Sequence, residues 1–173
     1  MRSFEMCVLL NVLLLLTAGH ANQAQDDKPL AQKTDNGLEV SLLKVELVRE
    51  RDELNNVPIY RMGSCPPGAA GNGIEMFANP GTQVYFVQLG IKVLPEYKGG
   101  GVTVPTITDA DDKKYVSENT MLPDSLLHDL KKLKGQQLEC EFPFEVRFGK
   151  QLKELQYGAI SLDLIRSESA TKP

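Results

Sequence analysis

Histidine and cysteine are the residue types best suited to catalysis or metal binding, and both are scarce in this chain. The 173 residues include two histidines and three cysteines. His20 and Cys7 lie in the amino-terminal stretch, which leaves His128, Cys65 and Cys140 for the rest of the chain. A Ser-His-Asp triad needs a histidine beside a nucleophile, and no Gly-x-Ser-x-Gly turn is present to supply the serine. We therefore expect no catalytic residue and predict that the chain is not an enzyme.

The same scarcity argues against the common metal sites, since blue copper needs two histidines with a thiolate and zinc sites are usually rich in histidine or cysteine. Asp109, Asp111 and Asp112 are weak calcium candidates, because clustered carboxylate oxygens suit hard cations. Lys113 and Lys114 stand where a calcium-binding loop would continue with an oxygen ligand and a glycine. A solvated hairpin tip is the preferred interpretation, and we predict no metal and no cofactor.

Cys65 and Cys140 become an even pair once the amino-terminal stretch is removed. In an oxidising compartment such a pair most simply forms one disulfide, Cys65–Cys140. Closing a loop of about 75 residues would stabilise the fold by up to roughly 4.5 kcal/mol in the loop-entropy description. The alternative is a buried Cys140 thiol with Cys65 free in a loop, and the sequence leaves both possibilities open.

The amino-terminal stretch has the pattern of a secretory signal peptide. Residues 8–18 (VLLNVLLLLTA) are too few to span a membrane as a helix but suit the apolar region of such a peptide. Small residues favour a cut after Ala21, with a cut after Ala24 as the alternative. No cysteine follows to carry a bacterial lipid anchor. We predict a signal peptide over residues 1–21 and a secreted or periplasmic mature protein without stable membrane insertion.

The charge of the chain speaks against a nucleic-acid partner. The net charge is −4, and cleavage would leave it unchanged because Arg2 and Glu5 are lost together. Lys131, Lys132 and Lys134 cluster where a helix should end, and cations there complement the helix dipole. A mildly acidic chain without a basic stripe is a poor ligand for nucleic acid or anionic lipid.

About 150 residues remain after cleavage, which suits one domain with its own core. Residues 22–36 (NQAQDDKPLAQKTDN) are polar and without periodicity, so they are predicted to form a flexible leader. Residues 37–165 are predicted to form the folded domain. Residues 166–173 are predicted to be a disordered tail.

Alternation of apolar and polar residues dominates the folded domain and predicts strands. Residues 38–47 alternate with a shift of phase in the middle, which indicates a β-bulge, and residues 84–93 are predicted to be a central strand. Residues 138–148 place one apolar face inward, namely Leu138, Cys140, Phe142, Phe144, Val146 and Phe148. Pro143 lies on the polar face, so this strand should lie at a sheet edge or break there.

Weaker patterns complete the predicted elements. Residues 57–61 suggest an edge strand, residues 102–108 and 115–117 flank a hairpin connection, and residues 159–165 form the closing strand. Residues 124–134 are predicted to be helical, with Leu126, Leu127, Leu130 and Leu133 on one face and a stop at Gly135. These elements predict an all-β, mainly antiparallel, immunoglobulin-like β-sandwich with one short inserted helix.

The order of the strands carries a family resemblance. An opening strand (LEVSLLKVELV) is followed by a long central strand (GTQVYFVQLGIKV), a hairpin (TITDADDKKYVSE), a glycine-led strand (LKGQQLECEFPFEV) and a closing strand (LQYGAISLDL). This series resembles the telokin-like, immunoglobulin-like domains of secreted bacterial proteins and lipoproteins, a family of unknown function. The resemblance covers residues 37–165 and implies a sandwich outside the cytoplasm. It carries over no catalytic residue, and this chain departs from the pattern in the helix at 124–134, the loop around Cys65 and the missing lipid-anchor cysteine.

The loop at residues 62–80 (MGSCPPGAAGNGIEMFANP) is the best candidate for binding, because long loops without periodicity are often functional. Its candidate binding residues are Pro66, Pro67, Met76 and Phe77. A disulfide at Cys65 would fix the loop to the core and reduce the entropic cost of binding. The simpler interpretation, which the sequence favours, is a connector whose Ile74, Met76 and Phe77 pack into the core.

Three functions follow from these patterns. The leading hypothesis is a non-catalytic module outside the cytoplasm that binds a protein or a cell-envelope component through loops or a strand edge. The first alternative is an enzyme inhibitor whose tethered 62–80 loop enters its target. The second is a hydrolase that uses Glu139 and Glu141, although their i, i+2 spacing on one strand already explains them as solvent-facing. A purely structural domain without a ligand is a further possibility.

Overall fold

The computed structural model describes residues 28–69, 75–99, 104–123, 126 and 128–164. The predicted signal peptide and the predicted tail lie outside these residues. The described part contains a 3₁₀ helix, Leu130–Leu133, and twelve strands. The strands are β1 (Ala31–Asp35), β2 (Leu38–Leu47), β3 (Ile59–Arg61), β4 (Gly63–Ser64), β5 (Glu75–Phe77), β6 (Thr82–Val93), β7 (Thr106–Asp109), β8 (Lys114–Val116), β9 (Thr120–Met121), β10 (Gln137–Arg147), β11 (Leu152–Tyr157) and β12 (Ile160–Asp163).

Eight of these strands form two antiparallel sheets that share one core. Sheet I has the order β1-β2-β6-β10, and sheet II has the order β12-β11-β7-β8. Apart from β1, sheet I corresponds to strands A, B and E of an immunoglobulin-like sandwich, and sheet II corresponds to strands G, F, C and C′. The predicted all-β, mainly antiparallel, immunoglobulin-like sandwich is therefore confirmed.

The main core lies between the two sheets and follows the predicted alternation. The inward residues of β6 are all buried, namely Tyr85, Val87, Leu89, Ile91 and Val93. The pairing of β2 with β6 shifts register between Leu42 and Lys44, which is the predicted bulge. On the closing strand, Ile160, Leu162 and Leu164 point inward as expected. Burial of these faces from water is the main favourable contribution to folding.

Strand β10 lies at the end of sheet I, as Pro143 predicted. Its inward residues from Cys140 to Val146 are fully buried. The prediction fails at the last position, since Phe148 is 65% exposed. Phe148 lies beyond the end of β10, where its ring receives the Arg51 guanidinium at 5.8 Å from the centroid.

The prediction of a flexible leader over residues 22–36 is wrong in its last part. Ala31–Asp35 forms β1, which pairs antiparallel with β2. The turn between them is Asn36-Gly37, and both residues have positive φ, 48° and 78°. Such a turn matches the twist of a two-residue hairpin. Glycine is required at position 37, because an added Cβ would lie 2.6 Å from the backbone nitrogen of Tyr97.

The predicted helix over residues 124–134 is represented by the 3₁₀ helix Leu130–Leu133, with Leu126 and His128 also helical. Leu126, Leu130 and Leu133 are buried as the spacing predicted. The Asp129 side chain accepts a hydrogen bond from the Lys131 backbone at 3.1 Å and so caps the short helix. No helix among the described residues is long and apolar enough to cross a membrane.

Residues 48–81, which we call the insertion, connect β2 to β6, and their described part, residues 48–69 and 75–81, adds a layer to the outer face of sheet I. Within the insertion, β3 pairs antiparallel with β5. Strand β4 pairs in parallel with β9, which follows β8 later in the chain. A second, smaller core lies beneath this layer. It contains Tyr60, Ala78 and Val84, with Val48, Met76 and Phe86 packed against them.

Candidate functional site

The disulfide between Cys65 and Cys140 joins the insertion to β10. Cys140 is fully buried on the inward face of β10, and Cys65 follows directly after β4. Of the two interpretations that the sequence left open, the structure shows the bridged pair. The disulfide therefore closes a stretch of chain 75 residues long.

The predicted 62–80 loop is not irregular throughout, since it contains β4 and β5. Pro66 is exposed and Pro67 is half-buried, and the Ser64 hydroxyl donates to the Pro66 carbonyl oxygen at 2.8 Å. Met76 packs against the second core, whereas Phe77 is 59% exposed. The loop is thus part connector and part exposed surface. Ile74 lies outside the described residues.

Close packing holds β4 against the edge of β10. An added Cβ on Gly63 would lie 2.2 Å from the Glu141 carbonyl oxygen and 2.5 Å from Cδ of Pro143. Only glycine allows the two backbones to approach so closely. The insertion therefore covers an edge strand that would otherwise offer unpaired backbone groups.

An ion pair fixes the next part of the insertion to the outer face of β10. Nη2 of Arg61 donates to both carboxylate oxygens of Glu141, at 2.8 and 2.9 Å. The same guanidinium lies over the Phe86 ring, 5.5 Å from its centroid. Glu141 is 7% exposed, so the prediction of a solvent-facing Glu139 and Glu141 pair holds only for Glu139. The alternation of residues along β10 predicted that Glu141 faces solvent. It is buried because the insertion covers this face of the sheet.

Four polar side chains form a hydrogen-bonded cluster beside this ion pair. The Tyr60 hydroxyl donates to Glu145 Oε1 at 2.8 Å and accepts from Asn119 Nδ2 at 2.7 Å. The other oxygen of Glu145 accepts from the backbone nitrogen and the side-chain amide of Asn79. Burial, together with the hydrogen bond to Glu145, raises the pKa of Tyr60 far above its ordinary value. The hydroxyl therefore stays protonated and serves as a donor to the carboxylate.

The cluster lines a pocket of about 210 Å³ that we call the Tyr60 pocket. Its walls are Tyr60, Asn79, Tyr115, Val116, Glu118, Asn119, Pro143 and Glu145. They come from the insertion, from β8 and the turn after it, and from β10. The lining contains two carboxylates and two tyrosine rings, and no lysine, arginine or histidine is among the described lining residues.

The three aspartates proposed for calcium are engaged in protein contacts. Asp109 is buried, so the prediction of a solvated tip is wrong at this position, whereas Asp111 and Asp112 are exposed as predicted. Its carboxylate accepts hydrogen bonds from the backbone nitrogens of Asp111 and Lys113 and from the Tyr115 hydroxyl, at 2.9, 3.0 and 2.7 Å. Burial alone would raise the pKa of Asp109, but these hydrogen bonds and nearby Lys150 outweigh it and lower the pKa.

The other two aspartates form surface ion pairs. Asp111 pairs with Lys150 and Asp112 pairs with Lys153, each at 2.5 Å. In the part of the chain that the structure describes, no group of three or more histidine, cysteine or acidic side chains is arranged to hold a metal ion. His128 is exposed.

Sequence reasoning missed the residues of the Tyr60 pocket, since they are distant in the chain and belong to no local motif. One signal was available. Val84 and Phe86 lie on the face of β6 that points away from the main core, and an apolar outer face indicates that another layer covers it. That layer is the insertion, and the pocket forms along its border with β8 and β10.

Comparison with known proteins adds little to this description. No protein-family model matches the chain, and no curated protein matches it. Among solved structures, the chain is similar to an uncharacterised β-sandwich protein from Clostridium difficile 630, with 10% identity and a TM-score of 0.38 over 76% of this chain and 85% of that one. A likeness this distant carries no functional inference. The class of fold, a β-sandwich, follows from the strand pairing itself.

Proposed function

We propose that the chain is a non-catalytic β-sandwich module that works outside the cytoplasm and binds a protein or cell-envelope component through its insertion. We also propose that it belongs with the telokin-like, immunoglobulin-like domains of secreted bacterial proteins. A disulfide is compatible with an oxidising compartment, which supports the proposed location.

The observation that carries this proposal is the firm attachment of the insertion, which lies outside the two sheets of the sandwich. The Cys65–Cys140 disulfide, the Arg61–Glu141 ion pair and the Tyr60–Glu145 hydrogen bond tie the insertion to β10. Binding through a rigid surface costs less conformational entropy than binding through a mobile loop.

The insertion also presents a suitable contact residue. Phe77 is 59% exposed at the end of β5, and exposed aromatic side chains are frequent anchors of protein interfaces. The polar groups of the Tyr60 pocket, by contrast, are largely hydrogen-bonded to one another. That arrangement suits recognition better than bond cleavage.

A pull-down from envelope extract tests the proposal, with Phe77→Ala compared against the wild-type chain. We expect F77A to reduce the recovered partner by about tenfold or more, as the loss of an aromatic anchor does. Met76 is left intact, because it packs against the second core and its loss would disturb the fold.

Phe148→Ala is the matched control for an exposed phenylalanine, since Phe148 is 65% exposed and lies beyond β10, where its described ring contact with the insertion is the Arg51 guanidinium. It should retain the partner at the wild-type level. Equal recovery with F77A and wild type would show that the insertion is not the binding surface, and equal losses in both variants would point to general stickiness of exposed phenylalanine.

The inhibitor alternative is favoured by one observation. Pro66 is exposed directly after the disulfide-bonded Cys65, so a constrained segment faces outward at this point. Inhibition of a hydrolase by the intact chain, abolished when the disulfide is reduced, would support this function over simple binding. No inhibition across the serine, cysteine and metal-dependent proteases would remove it.

A further inference from the structure

We propose that the Tyr60 pocket receives a lysine side chain of the protein partner, with the ammonium group placed between the two carboxylates. This inference rests on the proposed binding function and names the chemistry that the surface recognises. It is carried by the charge balance of the pocket, by its aromatic walls and by its size.

The charge balance is visible in a comparison of two glutamates on the same face of β10. Glu141 is neutralised by the Arg61 guanidinium at 2.8 Å. Glu145, four residues further along, is half-buried, and its described donors are the Tyr60 hydroxyl and two groups of Asn79, all neutral. A half-buried carboxylate favours a cation beside it.

A second carboxylate and two rings complete the environment for a cation. Glu118 lines the same pocket, and so do the two tyrosines Tyr60 and Tyr115. The Lys113 ammonium lies over the Tyr115 ring, 5.2 Å from its centroid, so this ring already takes part in one cation–π contact. Aromatic rings beside carboxylates attract ammonium groups through cation–π contacts as well as charge.

The size of the pocket selects the kind of cation. Sites for drug-sized ligands usually measure about 300–1,000 Å³. At about 210 Å³ the Tyr60 pocket suits a single side chain. An alkyl chain that carries a primary ammonium would contact Val116 and Pro143 with its methylene groups and the two carboxylates with its charge.

Nuclear magnetic resonance titration of the labelled full chain tests this inference with a capped lysine, Nα-acetyl-lysine methylamide. We expect saturable shifts of the backbone amides of Val116, Glu118 and Asn119. The matching norleucine compound, which lacks only the ammonium group, should produce no saturable shift there. Glu145→Gln and Glu118→Gln should each weaken binding of the capped lysine by about tenfold.

Glu139→Gln is the control for charge, since Glu139 is an exposed glutamate of β10 outside the pocket. Glu118 is exposed and has no described hydrogen bond to lose, so E118Q remains informative if E145Q disturbs the fold. Equal binding of capped lysine and capped norleucine would overturn the inference, and so would equal weakening by E139Q and E118Q.

Cadaverine distinguishes a free amine from a protein side chain, because it offers the same ammonium group without a peptide. If cadaverine bound at least about tenfold more tightly than the capped lysine, the ligand would be a free amine and not a lysine side chain of a protein. The outcome is separable from that of the pull-down. Loss of partner recovery with F77A and no binding of capped lysine would leave the proposed function standing without this inference.

Discussion

Cys65 and Cys140 join the insertion to the edge strand of sheet I, and the two half-cystines differ in their surroundings. Cys140 is fully buried in the main core, whereas Cys65 is half-buried after the short strand β4. The bond therefore connects the added layer to the main core of the sandwich.

Reduction of this disulfide should lower the free energy of unfolding by about 2–5 kcal/mol, because the unfolded chain regains the entropy of a long closed loop. Urea unfolding followed by circular dichroism, with and without a phosphine reductant, measures the difference. A Cys65→Ala/Cys140→Ala double variant should not respond to the reductant. Thiol titration of the unfolded full chain should find Cys7 alone, and three free thiols would contradict the bridge.

Gly63→Ala should destabilise the fold by about 1–3 kcal/mol, since the new methyl group would meet the Glu141 carbonyl oxygen at 2.2 Å. Gly90→Ala is the matched control within β6, because an added Cβ there meets nothing closer than 3.6 Å. Urea midpoints compare the two variants. A loss in G90A as large as that in G63A would show that the close approach of β4 to β10 is not the reason for glycine at position 63.

Asp109→Asn should destabilise the β7–β8 hairpin at neutral pH by about 1–2 kcal/mol, because the neutral amide is a poorer acceptor for the donors that surround it. Asp111→Asn, which removes only an exposed ion pair with Lys150, should change stability by less than about 1 kcal/mol. Urea unfolding of both variants at pH 7 makes the comparison.

Asp109 should also make the stability of the fold depend on pH in the acid range. Its pKa in the folded chain lies below the ordinary value of 3.8, so its contribution is fully present above pH 3.8 and is lost as the pH falls through the lower, folded-state pKa. The urea midpoint of the wild type should fall more steeply than that of D109N below pH 3.8. Parallel acid profiles would show that Asp109 is not the responsible group.

Removal of the hydroxyl group should affect the stability of the fold differently at Tyr157 and at Tyr60. The Tyr157 hydroxyl is buried without a hydrogen-bond partner among the described residues, so Tyr157→Phe should be neutral or stabilising by up to about 1 kcal/mol. Tyr60→Phe removes hydrogen bonds to Glu145 and Asn119 and should destabilise by about 1–2 kcal/mol. Thermal unfolding measures both, and equal losses would contradict the difference in their environments.

The sandwich was predictable because its long strands carry their pattern locally. In β6 and β10 alternate apolar residues reveal the buried face, and the phase shift in residues 38–47 revealed the bulge. The first strand was also within reach, since Asn36-Gly37 is a strong hairpin signal. It was overlooked because the residues before it, AQKTD, are polar and are mostly exposed in the structure.

The site was less predictable, because its contacts join residues that are far apart in the chain. Tyr60 meets Glu145 across 85 positions, and β4 pairs with β9 through only two residues on each strand. Strands this short have no detectable period. The burial of Glu141 likewise depends on Arg61, which no local pattern associates with it.

The pairing of β2 with β6 has a consequence for how the sequence of this protein can change during evolution. Leu47, at the end of β2, lies opposite Tyr85 near the start of β6, so the backbone leaves the sheet and returns to it at neighbouring points. A tight turn could bridge that gap without altering the order of any strand. The length of the 48–81 segment can therefore vary without any change in strand order, provided that its contacts with β10 are kept.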